Sequence, residues 1–168
     1  GAYSDSPGSS SCTLCQPGYA SETLVATSSS TCKLCISGYY EPQYGSNVCN
    51  ECAEGKHGDS TLVGLRTSES QSCLDCPTGF FMNHKAANNK AACYSCPNGK
   101  WSNTLGSNTI DTCKNCGAGK YSKTYGANLE SFCLNCTIGN YQNITGASSC
   151  NACKEGKYGV SNVANNQR

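Results

Sequence analysis

Sixteen cysteines placed by a single rule constrain this chain more than anything else in it. They form eight C-x-x-C pairs, at 12/15, 32/35, 49/52, 73/76, 93/96, 113/116, 133/136 and 150/153, whose starts lie 20, 17, 24, 20, 20, 20 and 17 residues apart. Three positions after the second cysteine of every pair stands a glycine: Gly18, Gly38, Gly55, Gly79, Gly99, Gly119, Gly139 and Gly156. An aromatic follows within two positions in seven units, at Tyr19, Tyr39, Phe80, Trp101, Tyr121, Tyr141 and Tyr158, and His57 takes that place in the unit that begins at Cys49. In half the units a second glycine follows seven residues after the first, at Gly45, Gly106, Gly126 and Gly146. A period this regular signals stacked repeats.

The repeat cannot be held by an ordinary core. Leu, Ile, Val and Phe together number 21 of 168 residues, well under the roughly 20% at which a chain struggles to bury a core. Cross-links must take over. Two glycines per unit imply two tight turns, and the polar residues between them are too few for a useful helix. The expected fold is therefore a set of small disulfide-rich repeats: an elongated rod of glycine-turn units with short β-hairpins of roughly two to four residues per strand, little helix and no conventional hydrophobic core. Units that touch only their neighbours would span on the order of 100 Å.

The whole of 1–168 reads as one tandem array of units of about 17–24 residues. Gly1, Tyr3, Gly8 and Cys12 lie at the same offsets as Gly38, Tyr40, Gly45 and Cys49, so the chain starts inside a repeat. It also stops inside one, and is expected to be a segment of a longer protein.

Three chemistries use C-x-x-C. A thioredoxin-like dithiol needs one copy at the start of a helix in a βαβ setting, which eight copies among glycine turns do not provide. Zinc ribbons fit the spacing, but four tetrathiolate sites would each carry a net charge of −2, little basic surface is present, and odd and even units do not alternate. A zinc-ribbon array remains as the metal alternative. Structural disulfides fit best. A bond from the second cysteine of one pair to the first of the next closes a loop of about 15 residues, worth roughly 3 kcal/mol in the chain-entropy model. That rule gives Cys15–Cys32, Cys35–Cys49, Cys52–Cys73, Cys76–Cys93, Cys96–Cys113, Cys116–Cys133 and Cys136–Cys150, and sends Cys12 and Cys153 to partners outside the segment.

The strings "CQPGYASE", "CPTGFF" and "GAYSDSPGSSSCTLCQPGY" resemble the ephrin-receptor-like cysteine-rich repeat, which reads C-P-x-G-x-Y-S, then a glycine, then C-x-x-C. The pattern is similar as well to the first module of tumour-necrosis-factor-receptor repeats, where the cysteine before P-x-G-x-Y bonds the next one. Periodic C-x-x-C units rich in Ser, Thr and Asn also resemble ciliate surface (immobilisation) antigens. These resemblances imply an extracellular or cell-surface location through the secretory pathway. Proline follows the second cysteine directly only at Pro77 and Pro97, and the third, ligand-gripping part of the tumour-necrosis-factor-receptor module is missing.

Little else points to chemistry. A net charge of +1 with no basic run gives no reason to expect nucleic acid, and no apolar run reaches a membrane span. His57 and His84 read as solvated turn residues. Asp5, Asp59, Asp75 and Asp111 form no calcium-loop spacing, and no nucleophile or phosphate motif occurs. Catalytic, cofactor and metal residues are expected to be none. Two N-x-S/T sequons make Asn143, and secondarily Asn135, glycosylation candidates.

The function expected is a non-enzymatic, glycosylated structural protein: a disulfide-laddered rod of a cell-surface coat, appendage or filament. Its expected partners are neighbouring repeats or copies of itself, with glycans as further partners. The alternative is a receptor-type ectodomain that binds a protein or glycan ligand. The longer insert at 53–72 carries the argument for that alternative.

Overall fold

In the computed structural model, which describes residues 1–62, 64 and 66–158, the two residues inside each C-x-x-C form a strand. They pair antiparallel with the two or three residues after the first glycine of the preceding unit. The described residues contain eight such two-stranded sheets. Contacts divide the chain into two units, residues 1–75 with 84–93, and residues 76–83 with 94–168.

The second unit is the more regular. Its hairpins pair Phe80–Phe81 with Tyr94–Ser95, Lys100–Trp101 with Lys114–Asn115, Lys120–Tyr121 with Leu134–Asn135, and Asn140–Tyr141 with Asn151–Ala152. One backbone pattern joins successive repeats. The first glycine donates its N–H to the next repeat, Gly79 to Ser102 O at 2.7 Å, Gly99 to Ser122 O at 2.9 Å and Gly119 to Gln142 O at 2.7 Å. The second glycine donates back to the second cysteine of the preceding repeat, Gly106 to Cys76 O, Gly126 to Cys96 O and Gly146 to Cys116 O, at 2.8–2.9 Å. Three residues after the first glycine, Met82, Ser102 and Ser122 donate to Ser107 O, Ala127 O and Ala147 O of the following repeat. The polar backbone of each glycine-rich loop is thereby satisfied by its neighbour.

The first unit repeats the scheme. Its hairpins are Ala2–Tyr3 with Thr13–Leu14, Tyr19–Ala20 with Lys33–Leu34, Tyr39–Tyr40 with Asn50–Glu51, and Lys56–Gly58 with Cys73–Asp75. Gly18 N donates to Glu41 O at 2.7 Å, Gly45 N to Cys15 O at 2.8 Å and Ser21 N to Ser46 O at 3.2 Å.

Buried positions hold cysteine, alanine and serine rather than branched aliphatics. Cys52, Cys76, Cys96 and Cys136 are fully buried, with Ser102 and Ser122 beside Ala127 at 1% exposure. The buried serines are satisfied locally, because Ser102 and Ser122 hydroxyls accept from the backbone N–H of Thr104 and Thr124, both at 3.3 Å. Glu41 and Gln142, at the same repeat position, do likewise for Gln43 and Ile144.

Unit length has a local cause. Where disulfide-bonded cysteines lie 17 residues apart, as in Cys15–Cys32 or Cys96–Cys113, a three-residue 3-10 turn precedes the second of the two, for example Ser29–Thr31 or Ile110–Thr112. Where they lie 14 apart, in Cys35–Cys49 and Cys136–Cys150, that turn is missing. Ser28, Asn89 and Thr109 cap three of these turns by accepting from the N–H two residues on, the usual use of short polar side chains at helix starts.

The second-glycine position takes the left-handed conformation whether or not it is glycine. Gly106 and Gly126 have φ of 63° and 65°, and the two non-glycine residues described with positive φ, Val25 at 54° and Ala86 at 59°, stand at that same repeat position. A β-branched residue is strained there. Val25→Gly is expected to stabilise the chain by about 1 kcal/mol, the strain relieved less the added freedom of the unfolded glycine. A guanidinium midpoint that falls in the variant would contradict this.

Candidate functional site: the disulfide ladder and its insert

Each disulfide joins the second cysteine of one pair to the first of the next. The structure links Cys15–Cys32, Cys35–Cys49, Cys52–Cys73, Cys96–Cys113, Cys116–Cys133 and Cys136–Cys150, with Cα–Cα distances of 5.4–5.8 Å. Cys76 and Cys93 are also disulfide-bonded, which completes a ladder of seven. Each bond encloses one glycine turn, and the backbone N–H of the next second cysteine closes the hairpin, as from Cys116 to Gly99 O at 2.8 Å. Cys12 is an exposed thiol and Cys153 a half-buried one.

Side chains of the ladder fall on two faces, and the aromatics of the repeat are divided between them. Tyr19 and Phe80 directly follow the glycine, whereas Trp101, Tyr121 and Tyr141 stand one position later. In a strand that single step reverses the face. The later position points inward: Phe81 is buried with Cys96 and Cys113, and Ala20 is buried while Tyr19 beside it is 38% exposed. Trp101 is half-buried and holds the Lys114 ammonium 5.0 Å from its ring.

The same alternation of faces corrects the reading of His57. It is not a solvated turn residue but 5% exposed, because it occupies the inward position of the Lys56–Gly58 strand, opposite Leu74. Its Nδ1 lies 2.8 Å from Gly58 O. His84 is exposed, far along the chain in a loop of its own.

The insert at 53–72 rejoins the repeat register. Glu41 N donates to Arg66 O at 2.9 Å, the bond that Ser102 makes to Ala127, so Arg66 stands where other repeats carry the residue after the second glycine. Three residues are added before that point, and a four-residue helix, Glu69–Ser72, replaces the 3-10 turn. Together they account for the Cys52–Cys73 separation of 21 against 17 elsewhere. Arg66 is buried, with Nη2 donating to Asp59 O at 3.3 Å. The Asp59 carboxylate accepts from Thr61 N at 2.8 Å and Thr61 Oγ1 at 2.7 Å, and these bonds hold its pKa below the usual carboxylate value. Burial, then the charges of Glu69 and Glu41, raise that of Tyr40.

The remaining acids are scattered. Asp75 pairs with Lys56 Nζ at 2.8 Å, Asp5 and Asp111 are exposed, and among the described residues no group of three His, Cys, Asp or Glu could hold a metal. The sequons lie at the surface. Asn143 is exposed in the loop between Gly139 and Gly146, while Asn135 is exposed within the Leu134–Asn135 strand, next to the fully buried Cys136. Among the described residues no helix is long and apolar enough to cross a membrane.

A ladder of this kind defines a class, the tandem cysteine-rich repeats of oxidising surroundings. Within it, residues 124–168 match the family model described as tyrosine-protein kinase ephrin type A/B receptor-like. The resemblance to ephrin-receptor-like cysteine-rich repeats thus rests on a family match over the last repeats, and that family is a receptor-type module, not an enzyme class. No curated protein matches the chain.

Proposed function

We propose that this protein is a non-enzymatic structural component of an extracellular coat, appendage or filament: an elongated, disulfide-laddered rod belonging to a longer array. The observation that carries the reading is the sameness of the joints. Gly79 to Ser102 and Gly99 to Ser122 are one bond at successive repeats, so each repeat offers the next what the previous one offered it. Such an interface propagates without a closing element. Cys12 and Cys153 are proposed to bond cysteines of neighbouring repeats or copies, and Asn143 to carry a glycan, its loop position leaving more room than the Asn135 strand.

Small-angle scattering tests the shape. The expected radius of gyration exceeds by a wide margin the roughly 15 Å of a globule of this length, and a value near that globular figure would end the rod reading. A non-reducing peptide map of the native protein reads the ladder, the outside partners of Cys12 and Cys153, and the glycan as added mass on the Asn143 peptide. Stoichiometric zinc with free thiols would instead establish the ribbon alternative.

A receptor-type ectodomain is the second reading, favoured by the family match over residues 124–168. The insert supports it less than its length suggests, because Arg66 and the Glu69–Ser72 helix are built into the repeat register. Replacing residues 60–64 with a Gly-Ser linker leaves that register intact. Saturable cell binding lost in this variant would favour the receptor.

A further inference from the structure

The near-neutral chain is made of two oppositely charged parts. Residues 1–75 with 84–93 hold five Lys and Arg against eight Asp and Glu, a net −3, and residues 76–83 with 94–168 hold seven against three, a net +4. The imbalance lies at the surface. Glu22, Glu51 and Glu54 are exposed in the first unit, as are Lys114 and Lys123 in the second. Lys100 and Lys120 occupy equivalent positions of successive hairpins, opposite Asn115 and Asn135. Lys56–Asp75 at 2.8 Å and a loose Lys120–Glu130 at 3.7 Å each pair charges of one unit, so neither changes that unit's net charge.

We propose that the protein associates head to tail with a second copy of itself, the acidic unit of one copy docking on the basic unit of the next. This rests on the filament reading and gives it a polarity. Like units repel and unlike units attract, so electrostatics disfavour any register that pairs identical units, and a head-to-tail register extends without closing. Attraction between exposed charges is screened over about 10 Å at 0.1 M salt, which makes the association salt-dependent.

The test uses the full chain with Cys12→Ser and Cys153→Ser, so that association is non-covalent. Sedimentation velocity is expected to show self-association at about 50 mM salt that weakens at least tenfold at about 500 mM. Lys100→Glu, Lys120→Glu and Lys123→Glu together should abolish it. Zero-length carboxylate–amine cross-linking of mixed ¹⁴N and ¹⁵N chains should join acids of the first unit to lysines of the second between differently labelled copies. Association unmoved by salt or by the reversals, or cross-links confined to like units, would overturn the proposal while leaving the filament reading standing. A chain that stays monomeric at both salts would overturn the proposal as well, and the filament reading would then rest on the partners of Cys12 and Cys153 in the unmutated protein.

Discussion

Removing the Cys96–Cys113 bond by replacing both residues with alanine is expected to cost about 4 kcal/mol, more than removing Cys35–Cys49. Loop closure supplies roughly 3 kcal/mol of that in the chain-entropy model. The same model makes the Cys35–Cys49 loop, 14 residues against 17, differ from it by only about 0.2 kcal/mol. Entropy therefore cannot rank the two bonds, but packing can. Cys96 and Cys113 are buried with Phe81, whereas Cys49 is half-exposed, so losing the two sulfurs under Phe81 should add about 1 kcal/mol of cavity cost. Guanidinium titrations of the two double variants, without reductant, make the comparison. Equal losses would mean that the ladder acts through the unfolded chain alone and that the Phe81 cluster contributes nothing. Hydrogen exchange should place the loosened amides in the adjoining repeats, because stability in such an array is passed between neighbours.

How much of this was legible depends on which residue is asked. The hairpins and the disulfide ladder follow from cysteine and glycine spacing, since a C-x-x-C followed by Gly at a fixed offset leaves the chain few places to turn. The phase of the aromatics was not legible. Tyr19 and Trp101 look interchangeable in a loose motif, yet one step along a strand turns one outward and the other inward. Buried His57 was missed for that reason, although its offset from Gly55, equal to that of Trp101 from Gly99, carried the signal. Val25 and Ala86 were missed because the second glycine was read as absent from their units, whereas the backbone conformation persists without it. Arg66 could not have been placed by any spacing rule. Its register is set by a bond from Glu41, a contact of the fold and not of the local sequence. The two commonest spacings between pairs, 20 and 17, were visible, and Ser28, Asn89 and Thr109 were available as cap signals. Their meaning, one turn of 3-10 helix present or missing, needed the backbone.

Gly99→Ala is expected to destabilise the chain by about 3–4 kcal/mol, and its comparison with Gly18→Ala tests how the repeats wind. Both glycines hold left-handed backbone, with φ of 79° and 86°, which alanine tolerates at roughly 1–2 kcal/mol. They differ in what the new methyl meets. At Gly18 the nearest atoms lie at 3.6 Å, ordinary contact with Arg66 O and the Thr67 methyl. At Gly99 the methyl falls on the Gly146 carbonyl, two repeats further on, and 2.8 Å from Ala147 O. Those are backbone atoms: Ala147 O already accepts from Ser122 N, and the residue carrying the Gly146 carbonyl is anchored by its own N–H to Cys116 O, so neither can step aside without breaking the ladder. Overpacking of this kind adds roughly 1–3 kcal/mol. Gly79 faces the Gly126 carbonyl in the same way, so Gly79→Ala should follow Gly99→Ala and not Gly18→Ala. Denaturant midpoints of the three variants under oxidising conditions give the answer. If all three fall by the same amount, the first glycine serves its own turn only, and the close approach of each repeat to the one two further on is not part of what holds the array together.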